Sequence, residues 1–220
     1  RHGFYMTISL SNSRIGAAVA LIVLFAVAVP ATLSAQDEAD ALALYRQGRF
    51  NEAVAVTLQE IEAMPRNMDS YTVLGWSLLA LGRYQDALEY GLRALEISRF
   101  DVRVIGIVGE AHYYQGNYLE ALDYFEEYVA IAPTGSLIDA IYFFMGEIFL
   151  RFEEYHHADI AFSAAVFHDG NNASWWARLG FAREQAERLE AALEAYNRAL
   201  ELNPNLADAA RGLQRVNEAL

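Results

Sequence analysis

Apolar positions along this chain follow a helical period. Tyr71, Leu74, Gly75 and Leu78 form one stripe, and Tyr84, Ala87, Leu88, Gly91, Ala94 and Leu95 form the next. Spacings of i, i+3, i+4 and i+7 put each set on one helix face, so two amphipathic helices are predicted. Gly82 lies between them, where glycine accepts the left-handed conformation that a helix end requires. The same order returns along the chain. Gly116–Phe125 repeats Gly82–Gly91 and Gly48–Thr57, and it fades into Glu153–Phe162 and Glu187–Tyr196. Ala53, Ala87, Ala121, Ala158 and Ala192 mark the copies, in steps of 34, 34, 37 and 34 residues. Gly75, Gly109, Gly146 and Gly180 give a second series ahead of them. Pro65, Pro133 and Pro204 follow second helices and stop them. All markers put three extra residues around Thr134, Gly135, Ser136 and Leu137.

A period of this length means stacked helical hairpins, each burying its apolar face against its neighbours. Small residues at inner positions let backbones approach, and Gly75 is expected to face Ala87 across its hairpin. The marker order resembles the tetratricopeptide repeat family, over residues 34–206. Copy five carries Trp176, Leu179, Gly180, Ala192, Tyr196, Ala199 and Pro204, and departs from the family pattern at Arg183, Glu187 and Leu189. Copy three carries Val108, Gly109, Gly116, Tyr118, Ala121, Phe125 and Pro133. It has His112 where an aromatic is usual and Tyr128 where a small residue is usual.

The resemblance implies an all-α fold, a right-handed superhelical solenoid. Its five helix-turn-helix repeats would span 34–67, 68–101, 102–135, 139–172 and 173–206. Residues 207–220 read as a C-terminal capping helix. Leu206, Ala209, Ala210, Leu213, Val216 and Leu220 line one face of it, and Asp208, Arg211, Gln214, Arg215 and Glu218 the other. A solenoid needs such a polar outer face at its end.

The N-terminus has a different pattern. Arg14 precedes an apolar run from Ile15 to Val29, and Pro30, Ala31, Ser34 and Ala35 follow. Basic end, apolar core and small-residue tail are the order of a secretory signal. Residues 1–35 are therefore expected to be a signal peptide, with Met6 as the start and cleavage before Gln36. The uncharged stretch 15–35 is also long enough to span a bilayer, so an uncleaved membrane anchor stays open. Either way the repeats are expected outside the cytoplasm, periplasmic or extracellular after cleavage, since Arg14 stays on the cytoplasmic side. The chain has no cysteine, so disulfides are excluded.

Charge narrows the partners. The formal net charge is −13, every basic side chain is arginine, and both N-terminal arginines precede the first acid. Nucleic-acid binding needs a basic face, which this acidic chain lacks. Adjacent His156 and His157 point apart on a helix, whereas two-histidine metal sites want i, i+4 spacing. Ser77, Ser98 and Ser163 have no glycine-rich elbow, and there is no phosphate-cradling glycine loop. No catalytic residue, metal or cofactor is expected.

Aromatic residues outside the packing stripe carry the functional expectation. In the family it resembles, first helices line a concave groove. That implies groove positions here at Trp76, Leu79, Glu110, Tyr113, Tyr114, Phe143, Glu147 and Phe181, with Glu184 as a further acid. Exposed apolar strips of this kind mark interaction surfaces. The sequence thus predicts an exported, non-enzymatic scaffold that binds a protein or peptide segment, its acids favouring basic flanks. A self-associating component of a cell-envelope assembly, working as a homo-oligomer, is the alternative.

Overall fold

The computed structural model describes residues 40–220, and the signal-like segment 1–35 lies outside the described residues. Among the described residues there are eleven helices and no strand. They are α1 (Ala41–Arg46), α2 (Phe50–Ala63), α3 (Met68–Ala80), α4 (Tyr84–Ile97), α5 (Val102–Tyr114) and α6 (Tyr118–Ile131). There follow α7 (Ile138–Arg151), α8 (Tyr155–His168), α9 (Ala173–Gln185), α10 (Leu189–Leu202) and α11 (Ala207–Ala219). Each helix packs on its neighbours in the chain, and α3 also packs on both α1 and α5. The result is a solenoid of five hairpins closed by α11. No described helix is long and apolar enough to cross a membrane.

First helices are started by side chains. Asp40, Asn67, Asp101 and Asn172 each accept backbone N–H groups at the starts of α1, α3, α5 and α9. Such caps are worth about 1 kcal/mol each. The Asp40 cap starts α1 at Ala41. Turns inside the hairpins use the left-handed conformation: Gly48, Gly82 and Gly116 have φ of 75°, 69° and 81°. Glu153 and Glu187 take the same place in the last two hairpins, with φ of 59° and 58°.

Gly109, Gly146 and Gly180, in α5, α7 and α9, each have an aromatic partner sixteen residues on. A Cβ on Gly109 would meet the Phe125 ring at 2.6 Å, and one on Gly146 or Gly180 would meet Phe162 or Tyr196 at 2.7 Å. An aromatic knob from the second helix thus fills the space that the missing side chain leaves. The second hairpin has no such aromatic. Its knob position is Gly91, so the next hairpin fills the gap instead. Ile107 lies 2.8 Å from the Cβ that Gly75 lacks, and Val108 2.6 Å from that of Gly91.

The three-residue insertion has its own packing. Tyr128, 1% exposed, puts a ring where the repeat pattern wants a small side chain. Its hydroxyl accepts the Leu137 N–H at 3.2 Å. Gly106 gives this arrangement room, since a Cβ there would lie 3.2 Å from Leu137. The longer α6–α7 connection is what a large Tyr128 requires. Leu137 is the N-cap of α7, which therefore starts without a capping side chain.

Candidate protein-binding groove

A cavity of about 610 Å³ opens where α1, α3 and α5 lie side by side. Its walls are Tyr45, Trp76, Leu79, Ala80, Tyr84, Glu110, Tyr114, Ser136 and Leu137. Local structure explains each contribution. Trp76, Leu79 and Ala80 are i, i+3 and i+4 on α3, and Glu110 and Tyr114 are i and i+4 on α5, so each set shares a face. Tyr45, in the last turn of α1, sets its ring 5.7 Å from that of Trp76. Tyr84, at the start of α4, stacks on Tyr114 with centroids 4.7 Å apart and planes 15° apart. Ser136 and Leu137 come from the insertion. Tyr114 keeps 46% of its surface exposed, so the cavity has an open aromatic rim.

Glu110 is the only formally charged residue in these walls. Burial pushes its carboxyl up to about 7, and among the described residues it pairs with no cation. Burial also raises the Tyr45 and Tyr114 hydroxyls, and the nearby Glu110 charge raises them further. An uncompensated carboxyl among aromatic rings is costly unless something outside the chain completes it.

Of the predicted groove residues, Trp76, Leu79, Glu110 and Tyr114 meet at this cavity. The other four do not. Tyr113, one residue from Tyr114, is turned about 100° around α5. Its ring packs 5.7 Å from Tyr118 and 4.8 Å from Phe144, tying α5 to α6 and α7. Phe143 stacks on Trp175 at 5.1 Å and meets Phe162 at 5.6 Å, so it joins α7 to α8 and α9. Glu147 accepts Arg178 Nη2 at 2.8 Å. Phe181 lines a separate cavity of about 370 Å³ with Arg178, Tyr196 and Arg215. Trp76 and Tyr114 thus wall the cavity, while Tyr113 and Phe143 belong to a chain of ring contacts through Phe144 that runs toward α9.

Glu184 is also occupied. Arg215 of α11 donates to it through Nε at 2.7 Å and Nη2 at 2.8 Å, and the Tyr196 hydroxyl donates at 2.6 Å. Burial alone would raise this carboxyl, but the Arg215 and Tyr196 donors outweigh burial and hold it below its ordinary value. Sequence reasoning missed Tyr45, Tyr84, Ser136 and Leu137. Tyr84 looked structural because it sits at a repeat packing position. The irregular step of 37 residues was the visible signal for the other wall.

Family models described as tetratricopeptide repeat match residues 39–102 and 173–206. No curated protein matches the chain. Solved structures share its fold. MamA (residue 41 to the end) from Desulfovibrio magneticus RS-1 is 22% identical with a TM-score of 0.62, over 69% of this chain and 84% of that one. YrrB, described as "a TPR protein with an unusual peptide-binding site", is 20% identical with a TM-score of 0.67, over 74% of this chain and 82% of that one. TTC0263, a thermophilic TPR protein of Thermus thermophilus, is 21% identical with a TM-score of 0.58, over 81% of this chain and 95% of that one.

Proposed function

Since this chain is a tetratricopeptide repeat protein, we propose that it is an exported, non-enzymatic scaffold whose α1–α3–α5 cavity binds a segment of a protein partner. The single observation that carries this reading is the open cavity walled by Tyr45, Trp76, Tyr84 and Tyr114. Its aromatic walls offer an apolar anchor a place to bury, and Tyr114 stays exposed at the rim. Repeat solenoids recognise extended or helical segments by burying apolar anchors in such grooves. The similar YrrB fold, described with a peptide-binding site, supports the same use here. Export rests on the order of Arg14, the apolar run and Ala35 in the sequence.

The test is affinity capture from an envelope extract of the native host, with the wild-type chain and two variants. Trp76→Ala should release the captured partner while the fold persists, because central aromatics act as binding hot spots worth about 2 kcal/mol or more. Phe143→Ala should instead lower the melting temperature, because its ring joins three helices. Equal capture by wild type and Trp76→Ala would refute the groove.

Self-association is a second reading, favoured by a different surface. Ile160 and Phe167, i and i+7 on α8, are 69% and 84% exposed. If that face joins copies, light-scattering mass should rise with concentration and Phe167→Ser should stop the rise.

A further inference from the structure

We propose that the α1–α3–α5 cavity recognises one lysine side chain of the bound segment, its ammonium held between Trp76 and the Tyr84–Tyr114 stack with Glu110 as counter-charge. This rests on the partner-binding reading above and names the chemistry the partner must present.

Three observations converge on a cation. First, the rings come from three different elements and surround one space. Trp76 stands on α3, Tyr84 on α4 and Tyr114 on α5, with Tyr45 of α1 against the indole. Indole and phenol faces carry negative potential, and ammonium groups are attracted to them when desolvated. Second, the walls hold one carboxylate and no basic residue. Glu147 and Glu184, acids from the equivalent faces of α7 and α9, are each bound to an arginine of this chain, and Glu110 is not. A purely apolar ligand would bury Glu110 further without compensating it. A lysine ammonium compensates it and leaves its methylene stem for the apolar walls. Third, the insertion closes this cavity rather than another. Leu137, anchored through its N–H to Tyr128, walls the end that a regular 34-residue step would leave open. The net charge of −13 also steers a basic segment toward the chain.

Recognition should depend on pH. The titratable groups facing Glu110 are Tyr45 of α1, Tyr84 of α4 and Tyr114 of α5; the remaining walls, Trp76, Leu79, Ala80, Ser136 and Leu137, bring none. Burial and the Glu110 charge raise the Tyr45 and Tyr114 hydroxyls, so the response is that of Glu110. With its carboxyl near 7, falling pH removes the counter-charge.

The experiment uses the full chain and two probe peptides, acetyl-Gly-Lys-Gly-amide and its norleucine analogue, which has the same stem without the charge. Binding is read by NMR from the Trp76 indole N–H, assigned with Trp76→Phe. At pH 8 the lysine probe should bind at least about tenfold more tightly than the norleucine probe. Its affinity should fall about tenfold between pH 8 and pH 6, while that of the norleucine probe should not fall. Glu110→Gln should abolish the preference, and Glu126→Gln, an exposed acid on α6, should keep it. Equal affinities at pH 8 would overturn the ammonium site and leave the apolar groove standing. A lysine affinity flat with pH, or a preference surviving in Glu110→Gln, would overturn the role of Glu110. Tight tetramethylammonium binding with the lysine probe excluded would overturn the lysine assignment in favour of a small quaternary amine. Because partner capture by Trp76→Ala is read separately, failure here is distinguishable from failure of the scaffold reading.

Discussion

Asp159 of α8 and Arg183 of α9 are ion-paired at 2.9 Å in a place where the repeat template packs apolar side chains. The other copies have Val54, Leu88, Leu122 and Leu193 at the position of Asp159. Asp159 is only 3% exposed, and its remaining valences are used. Arg188 bonds its second oxygen, and the Ser163 hydroxyl donates to the first at 3.1 Å. The departure of copy five from the family pattern at Arg183 is thus one half of a coordinated exchange between neighbouring hairpins.

Removing one half of this pair should cost far more than removing both. Asp159→Leu leaves Arg183 in the seam without its counter-charge, a loss of about 3–5 kcal/mol. The double variant Asp159→Leu/Arg183→Leu restores an apolar seam and should recover most of that loss. Chemical denaturation of the four proteins checks this. Additive losses would show that the two side chains act independently.

The two non-glycine turns offer a gain. Glu153 and Glu187 hold φ near +60°, where an L side chain costs roughly 1–2 kcal/mol that glycine avoids. Neither carboxylate is in an ion pair among the described residues, so little is lost with it. Glu187→Gly should stabilise the chain by about 1 kcal/mol, and Glu153→Gly by a similar amount. The reverse change, Gly82→Glu, should cost about as much. Thermal melts of the three variants decide.

Glu110 makes stability depend on pH. Its carboxyl ordinarily titrates at 4.5 and is held at about 7 in the fold, so the folded state binds the proton more tightly. Between these values the unfolded chain carries fewer protons, and stability falls as pH rises. The full contribution is present below 4.5 and gone above about 7. Because the side chain keeps some solvent contact, the loss should be about 1–2 kcal/mol rather than the whole shift. Urea denaturation at pH 5 and pH 8 should show a larger drop for wild type than for Glu110→Gln. Equal drops would mean that the carboxyl is solvated.

Export is checked at the N-terminus. Protein purified from its native host should begin at or near Gln36, after the Ser34-Ala35 pair. Intact Met6 in the membrane fraction would select the anchor, with the apolar run spanning the bilayer.

Local interactions are what the sequence by itself determined. Helix period, the left-handed turns at Gly48, Gly82 and Gly116, and the 34-residue spacing all act within about one hairpin, so residue order suffices to reveal them. The five hairpins and the closing helix follow from them. Which residues share the cavity was decided between hairpins. Trp76 and Tyr114 lie 38 positions apart and meet because α3 and α5 pack side by side. Phe143 takes the repeat position of Thr72 rather than of Trp76, and its ring is packed against Trp175 and Phe162. The spacing revealed the insertion before α7, but not that Tyr128 would anchor it or that Leu137 would wall the cavity. Nor could spacing show that Glu147 and Glu184 would meet arginines while Glu110 would not. Those outcomes depend on the offset between successive hairpins. That offset is set by side-chain volumes at each seam, from residues about 34 positions or more apart, and no local pattern encodes it.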